Sequence, residues 1–185
     1  KFSDSILPEK IHILNVSFLV ETLRKNFGGT AGNIAYTLAL LDSEVSVLAC
    51  AGNDFSEYKS FLKRSGVNTS KLRIIESEAT ASAFIMTDQA DNQITGFYPG
   101  AMKESKNLSI LKADFVAVSP DDPKAMIKHV KECQKLKIKY LFDPGMQLPR
   151  LTDEDLKIGI NGAEILIGND YEMNLIKSRL WMEDS

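Results

Sequence analysis

Asn26-Phe-Gly-Gly-Thr-Ala-Gly-Asn33 runs without a break into Ile34-Ala-Tyr-Thr-Leu-Ala-Leu-Leu41. The stretch joins a glycine-rich turn to a helix, because Ile34, Leu38 and Leu41 recur at helical spacing. Gly28 and Gly29 can take positive φ and let the backbone approach a ligand closely. The first helical turn supplies unpaired N–H groups and a partial positive charge. Asn33 adds a side chain that both donates and accepts, which suits a polyol. A bare structural turn is the competing reading of the same glycines.

Outward from this stretch, strands alternate with helices. Val45–Ala51 reads as a buried strand ending at Gly52-Asn-Asp54. Asp54 with Glu57 has capping-box spacing for a helix carrying Phe55, Tyr58, Phe61 and Leu62. Further strands are expected at 72–75, 115–118, 138–142 and 165–167. Asp121-Asp-Pro123 opens a helix with Met126, Val130 and Cys133 on one face, proline suiting a first helical position. Thr152 caps another, and a last helix follows Asn169. This rhythm predicts an α/β architecture with a mostly parallel sheet flanked by helices in three Rossmann-like layers. Two β-rich regions, about 10–29 and 80–98, fall outside it and are expected to form a small β-sheet lid inserted in the core.

Composition narrows the function classes. The 185 residues are 44% hydrophobic and 25% charged, with a net charge of -3 and no basic block. A sizeable core is expected, and neither nucleic acid nor a membrane is expected as a partner. Cys50 and Cys133 sit in apolar periodic segments and read as buried thiols of a cytoplasmic protein. His129, beside Lys128 and Lys131, is expected to face solvent.

In open parallel sheets, ligands bind beyond the carboxyl ends of the strands. Asn53, Asp54, Ser119, Asp143 and Asn169 gather at those ends. Asn169 and Glu172 could hold hydrated Mg²⁺ near phosphate oxygens; an N-cap beside a surface glutamate explains the same spacing. Asp143 before Pro-Gly is a turn former or a site residue. Phe84 and Phe97 are packing residues or an aromatic face for a purine. No dinucleotide fingerprint follows the first strand-like segment, which disfavours an oxidoreductase.

Together, Gly28-Gly-Thr-Ala-Gly-Asn33, Gly52-Asn-Asp54 and Asn169-Asp-Tyr-Glu172 resemble the ribokinase-like (PfkB) carbohydrate kinases. Within that family the likeness is greatest to bacterial adenosine kinases. It rests on Asn15–Val20, Gly96–Met102, Asp143-Pro-Gly-Met-Gln-Leu-Pro-Arg150 and Gly168–Glu172. The resemblance implies transfer of phosphate from ATP to the 5′-hydroxyl of a ribonucleoside, adenosine above all. Gly28, Gly29 and Asn33 would hold the ribose, Ser17 would reach in from the lid, Phe84 would stack on the base and Gln147 would contact the nucleoside. Asn169 and Glu172 would organise Mg²⁺ and phosphate, with Asp143 a weaker candidate. ATP and Mg²⁺ are the implied cofactors, and activation by a monovalent cation is a question the resemblance raises. A homodimer through the lid is a further expectation.

Met146-Gln147 stands where related adenosine kinases tend to carry two glutamines, and Asp42-Ser43 replaces an expected glycine. The chain is expected to be truncated at both ends, lacking the family's catalytic aspartate in its Gly-Ala-Gly-Asp motif, and so to be inactive alone. A ribokinase- or fructokinase-type sugar kinase is the alternative within the class. A non-catalytic small-molecule binder, or a module that dimerises through the lid, is the alternative outside it.

Overall fold

The computed structural model describes Phe2, Ser17 and Leu19–Leu180. Two parallel ladders form its frame. The first pairs β1 (Ala49–Gly52) with β2 (Leu72–Ile75), Ala49 opposite Leu72. It is served by α1 (Thr30–Leu40) and α2 (Ser56–Arg64). Ala35, Val47, Ala51, Phe55, Leu62 and Val67 make its core. Between the ladders in sequence stands an antiparallel hairpin, β3 (Ser82–Thr87) and β4 (Gln93–Tyr98), with Phe84 opposite Gly96. The second ladder has strand order β5 (Phe115–Val118), β6 (Lys139–Phe142), β7 (Ile165–Leu166). It is flanked by α3 (Pro123–Leu136), α4 (Asp153–Ile160) and α5 (Asp170–Leu180).

Local chemistry explains most helix starts. Asp122 accepts from the amides of Lys124 and Ala125 at 3.0 and 3.2 Å, and Pro123 follows in the first turn. Thr152 and Asp155 form a reciprocal capping box at α4. The larger core gathers Met126, Val130, Cys133, Tyr140, Phe142, Leu156 and Ile176. Burying each such side chain contributes about 1.5–3 kcal/mol. α4 lies unusually close to β6: a Cβ on Gly159 would sit 2.4 Å from the Phe142 ring. The Tyr140 hydroxyl fastens the same layers, donating toward the carbonyls of Gly159 and Asn161 and accepting from Gln134 Nε2.

Three expectations are corrected. Asp54 does not cap α2: Phe55 occupies the cap position with no side-chain bond, because the Asp54 carboxylate is engaged by Thr80. His129 is buried at 7% exposure, not solvent-facing. The buried face of α3 is wide enough to include it with Ala125, Met126 and Val130. Burial pushes its pKa down, partly opposed by Glu132 and a bond to the Leu108 backbone. In the expected 10–29 lid region, residues 19–29 carry no strand. Within that region, residues 10–16 and 18 lie outside the described residues.

Candidate functional site

The first group of candidate residues surrounds the start of α1. Gly29 precedes the helix at φ 86 and ψ 143, a conformation that favours glycine. The Asn33 amide donates to Gly29 O at 3.0 Å, and among the described residues no side chain caps the turn. The amides of Thr30, Ala31 and Gly32 therefore have no intrahelical partner. A Cβ built on Gly28 or Gly29 would meet nothing within 4 Å among the described residues. The glycine pair thus borders open space, and Asn33 is exposed in the same first turn. Ser17 is also exposed.

A shell of aromatic rings supports this turn from α2. Phe27 stacks on Tyr58 at a centroid distance of 4.5 Å and an interplanar angle of 2°. Phe61 touches both rings, and Phe55 touches Tyr58. The Tyr58 hydroxyl donates to Gly28 O at 2.9 Å. Sequence periodicity marked Tyr58 only as one apolar member of its helix. A phenol among the ring residues that follow a Gly-Gly turn was the available clue.

The end of β1 leads to the hairpin. The Thr80 amide and hydroxyl donate to Asp54 Oδ1 at 2.8 and 2.6 Å, and the Gly52 amide donates to Thr80 Oγ1 at 3.0 Å. The two Thr80 bonds, the hydroxyl's first, hold the Asp54 carboxyl below its ordinary pKa. Gly52 admits no side chain, since a Cβ would meet Glu78 O at 2.4 Å. On the hairpin itself, Phe84 is 68% exposed, which leaves its ring available to a ligand.

The second group lies at the carboxyl ends of the other ladder. The Asn169 amide donates to Glu172 Oε2, and the Glu172 amide donates to Asn169 Oδ1, both at 2.9 Å. This is a capping box. Asp143 stands near enough to Glu172 that burial first, and then that carboxylate, push its pKa up. Gln147 is buried at 4% exposure, while its neighbour Met146 is 68% exposed. Arg150 Nη1 lies 3.4 Å from Gln147 Oε1. Asp121, read only as part of a helix start, sits half-buried just after β5. Burial pushes its pKa up to about 6, with the Asp122 amide opposing. The clue was an aspartate left over once Asp122 had taken the cap. A cavity of about 680 Å³ lies against α3, bounded by Lys124, Lys131, Lys135 and Arg150, and contains none of the sequence-predicted site residues.

The profile of the family described as "pfkB family carbohydrate kinase" matches residues 4–183. The chain belongs to that family. A nucleoside kinase of Methanocaldococcus jannaschii is 34% identical over 179 residues, covering 95% of this chain and 59% of that protein. Burkholderia thailandensis nucleoside kinase, solved in complex with inosine, superposes with a TM-score of 0.84 at 34% identity, covering 92% of this chain and 57% of the other. The same enzyme solved with ADP and inosine gives 0.81 at 35% identity, covering 97% and 57%. The chain therefore spans a little over half the length of these relatives. Its fold is that of the ribokinase-like family: parallel ladders flanked by helices.

Proposed function

We propose that the full-length protein transfers the γ-phosphoryl group of ATP to the 5′-hydroxyl of a purine nucleoside, with adenosine a preferred acceptor. The observation that carries this reading is the open backbone at Gly28–Gly29 leading into an uncapped helix start with Asn33 in its first turn. Likeness to a nucleoside kinase solved with inosine supports the class of acceptor. In this reading the ribose hydroxyls meet the glycine backbone and Asn33, Ser17 approaches from the lid region, and Phe84 offers a face to the base. The burial of Gln147 favours a role in shaping the site wall over direct contact with the base.

Mg²⁺ fits the second group in outline. It takes few protein ligands and keeps its waters. Among the described residues no group of three or more acidic, His or Cys side chains is arranged to hold a metal. Glu172 spends one oxygen on the Asn169 amide, which leaves the other, with Asp143, to hold a hydrated ion. Burial chiefly, and then the neighbouring Glu172 carboxylate, raise the pKa of Asp143, and a cation would relieve both by offsetting the charge there. When bound, Mg²⁺ neutralises phosphate charge. Asn169 and Glu172 would hold the start of α5 rigid beside it.

The buried thiols Cys50 and Cys133 suit a reducing, cytoplasmic setting. The two-stranded β3–β4 hairpin, with Phe84, Ile85 and Phe97 exposed, supports closure over the acceptor and pairing with a second copy through its edges.

The test is a thermal-shift and kinase panel on the full-length protein with adenosine, inosine, ribose and fructose. A stabilising shift reports binding to the native state. Shifts and ATP-dependent phosphorylation with the nucleosides are expected. Phosphorylation of ribose or fructose alone would replace this reading with the sugar-kinase one. Asn33→Ala should weaken acceptor binding with little effect on the ATP requirement.

A further inference from the structure

We infer that Tyr58 is a positioning residue for the acceptor, holding the Gly28–Gly29 turn in the shape that α1 presents to it; this inference rests on the function proposed above. Two adjacent glycines have the largest backbone freedom of any pair. Among the described residues, open space lies beside these two, with no side-chain packing around the positions their own side chains would occupy. Something must nevertheless hold them. The Gly29 carbonyl is tied to the helix through the Asn33 amide at 3.0 Å. The Gly28 carbonyl is tied to Tyr58 Oη at 2.9 Å. The two bonds pin successive peptide units, one from inside α1 and one from α2.

The rest of the geometry makes Tyr58 a fixed post. Its ring is clamped face to face by Phe27, the residue immediately before Gly28, and edged by Phe55 and Phe61. Its hydroxyl also reaches beneath Gly32: a Cβ there would lie 2.1 Å from Tyr58 Oη. The third glycine of the motif is thus explained by clearance for the phenol, while the first two border the space left for a ligand. One side chain contacts both ends of the motif.

A turn released from this post would spend part of its time in shapes that do not bind. Apparent acceptor affinity falls by the fraction of competent conformers, whereas chemistry in the bound state does not. Tyr58→Phe removes the hydroxyl and keeps the ring stack. The lost bond is at an exposed carbonyl, which water can satisfy, so the effect should be local. In the full-length protein the expected result is a nucleoside KM raised about three- to tenfold, with kcat and the KM for ATP within about twofold of wild type. Amide hydrogen exchange across residues 28–33, measured without nucleoside, should speed up. Phe27→Leu, which loses the stack and keeps the hydroxyl, should move both readings in the same direction.

A merely structural role would instead lower the unfolding midpoint and shift both substrates' KM values together. Unchanged exchange at 28–33 together with an unchanged nucleoside KM in Tyr58→Phe would overturn the inference. A wild-type protein that phosphorylates no nucleoside would remove the proposed function. The ligand-free exchange measurement would still decide whether Tyr58 holds the turn.

Discussion

Asp54 and Thr80, 26 residues apart in the chain, are joined twice: Asp54 Oδ1 accepts from the Thr80 hydroxyl at 2.6 Å and from its amide at 2.8 Å. The Thr80 hydroxyl in turn accepts from the Gly52 amide at 3.0 Å. The end of β1 therefore clasps the chain just before β3 begins, and the Gly52-Asn-Asp54 motif anchors the hairpin's base. Asn53 adds a bond from Nδ2 to Glu76 O at 2.9 Å.

Asp54→Ala should loosen this base. The group is exposed, so the loss in global stability should be small, about 1 kcal/mol. Local proteolysis between residues 76 and 82 should accelerate well beyond that. The pH dependence follows from the lowered pKa of Asp54. The native state binds its proton less readily than the unfolded chain. The stabilisation is therefore present above the ordinary carboxylate range and fades as pH falls through the native value. Limited proteolysis of wild type at neutral pH and, with an acid-active protease, in acid strong enough to protonate the native carboxyl would show it; equal susceptibility at both would contradict the clasp.

Asp121 should behave in the opposite sense. Its native pKa is raised to about 6 by burial, so the folded protein holds that proton more tightly than the unfolded chain. Its contribution is full below the ordinary carboxylate range and is lost as pH rises through about 6. Asp121→Asn keeps an oxygen for the Asp122 amide and removes the buried charge. It should stabilise the protein by about 1–3 kcal/mol at pH 8 and by little at pH 4. Urea unfolding at the two pH values measures the difference.

Asn169 and Glu172 can be separated by substitution. Asn169→Ala removes the cap of α5 and should cost about 1 kcal/mol. Glu172→Gln keeps an oxygen for the Asn169 amide and deletes the charge, so stability should stay within about 0.5 kcal/mol. Its effect should appear as a Mg²⁺ requirement raised on the order of tenfold. A magnesium titration of kinase activity, set beside thermal unfolding, distinguishes the two roles. If neither variant changed the Mg²⁺ requirement, the metal assignment would fail.

Gly159→Ala tests the closest approach of α4 to β6. The new methyl would fall 2.4 Å from the Phe142 ring, which is itself fully buried. Relief requires backbone movement, at a cost of about 1–3 kcal/mol. Denaturant unfolding should show a lower midpoint with an unchanged slope.

The parts legible in advance were those set by neighbours in the chain. The glycine turn into α1, Asp122-Pro123 at α3 and Thr152 at α4 each follow from a few adjacent residues. Misreadings arose where a distant partner took a side chain. Asp54 has the local spacing of a cap, yet Thr80 claims its carboxylate. His129 sits between lysines that suggest solvent, yet the buried face of α3 extends around to it. The burial of Gln147 was likewise not written in its sequence neighbours.

Residue order alone thus determined the alternation of strands and helices, the family, and the flexible glycine pair, because periodicity and backbone freedom act over a few residues. Tertiary structure decided that Tyr58 braces that pair, that Asp54 serves the hairpin, and that Asp121 and Asp143 carry raised pKa values. Hydrogen-bond partners and desolvation depend on which distant segments pack together, and no local pattern contains that information.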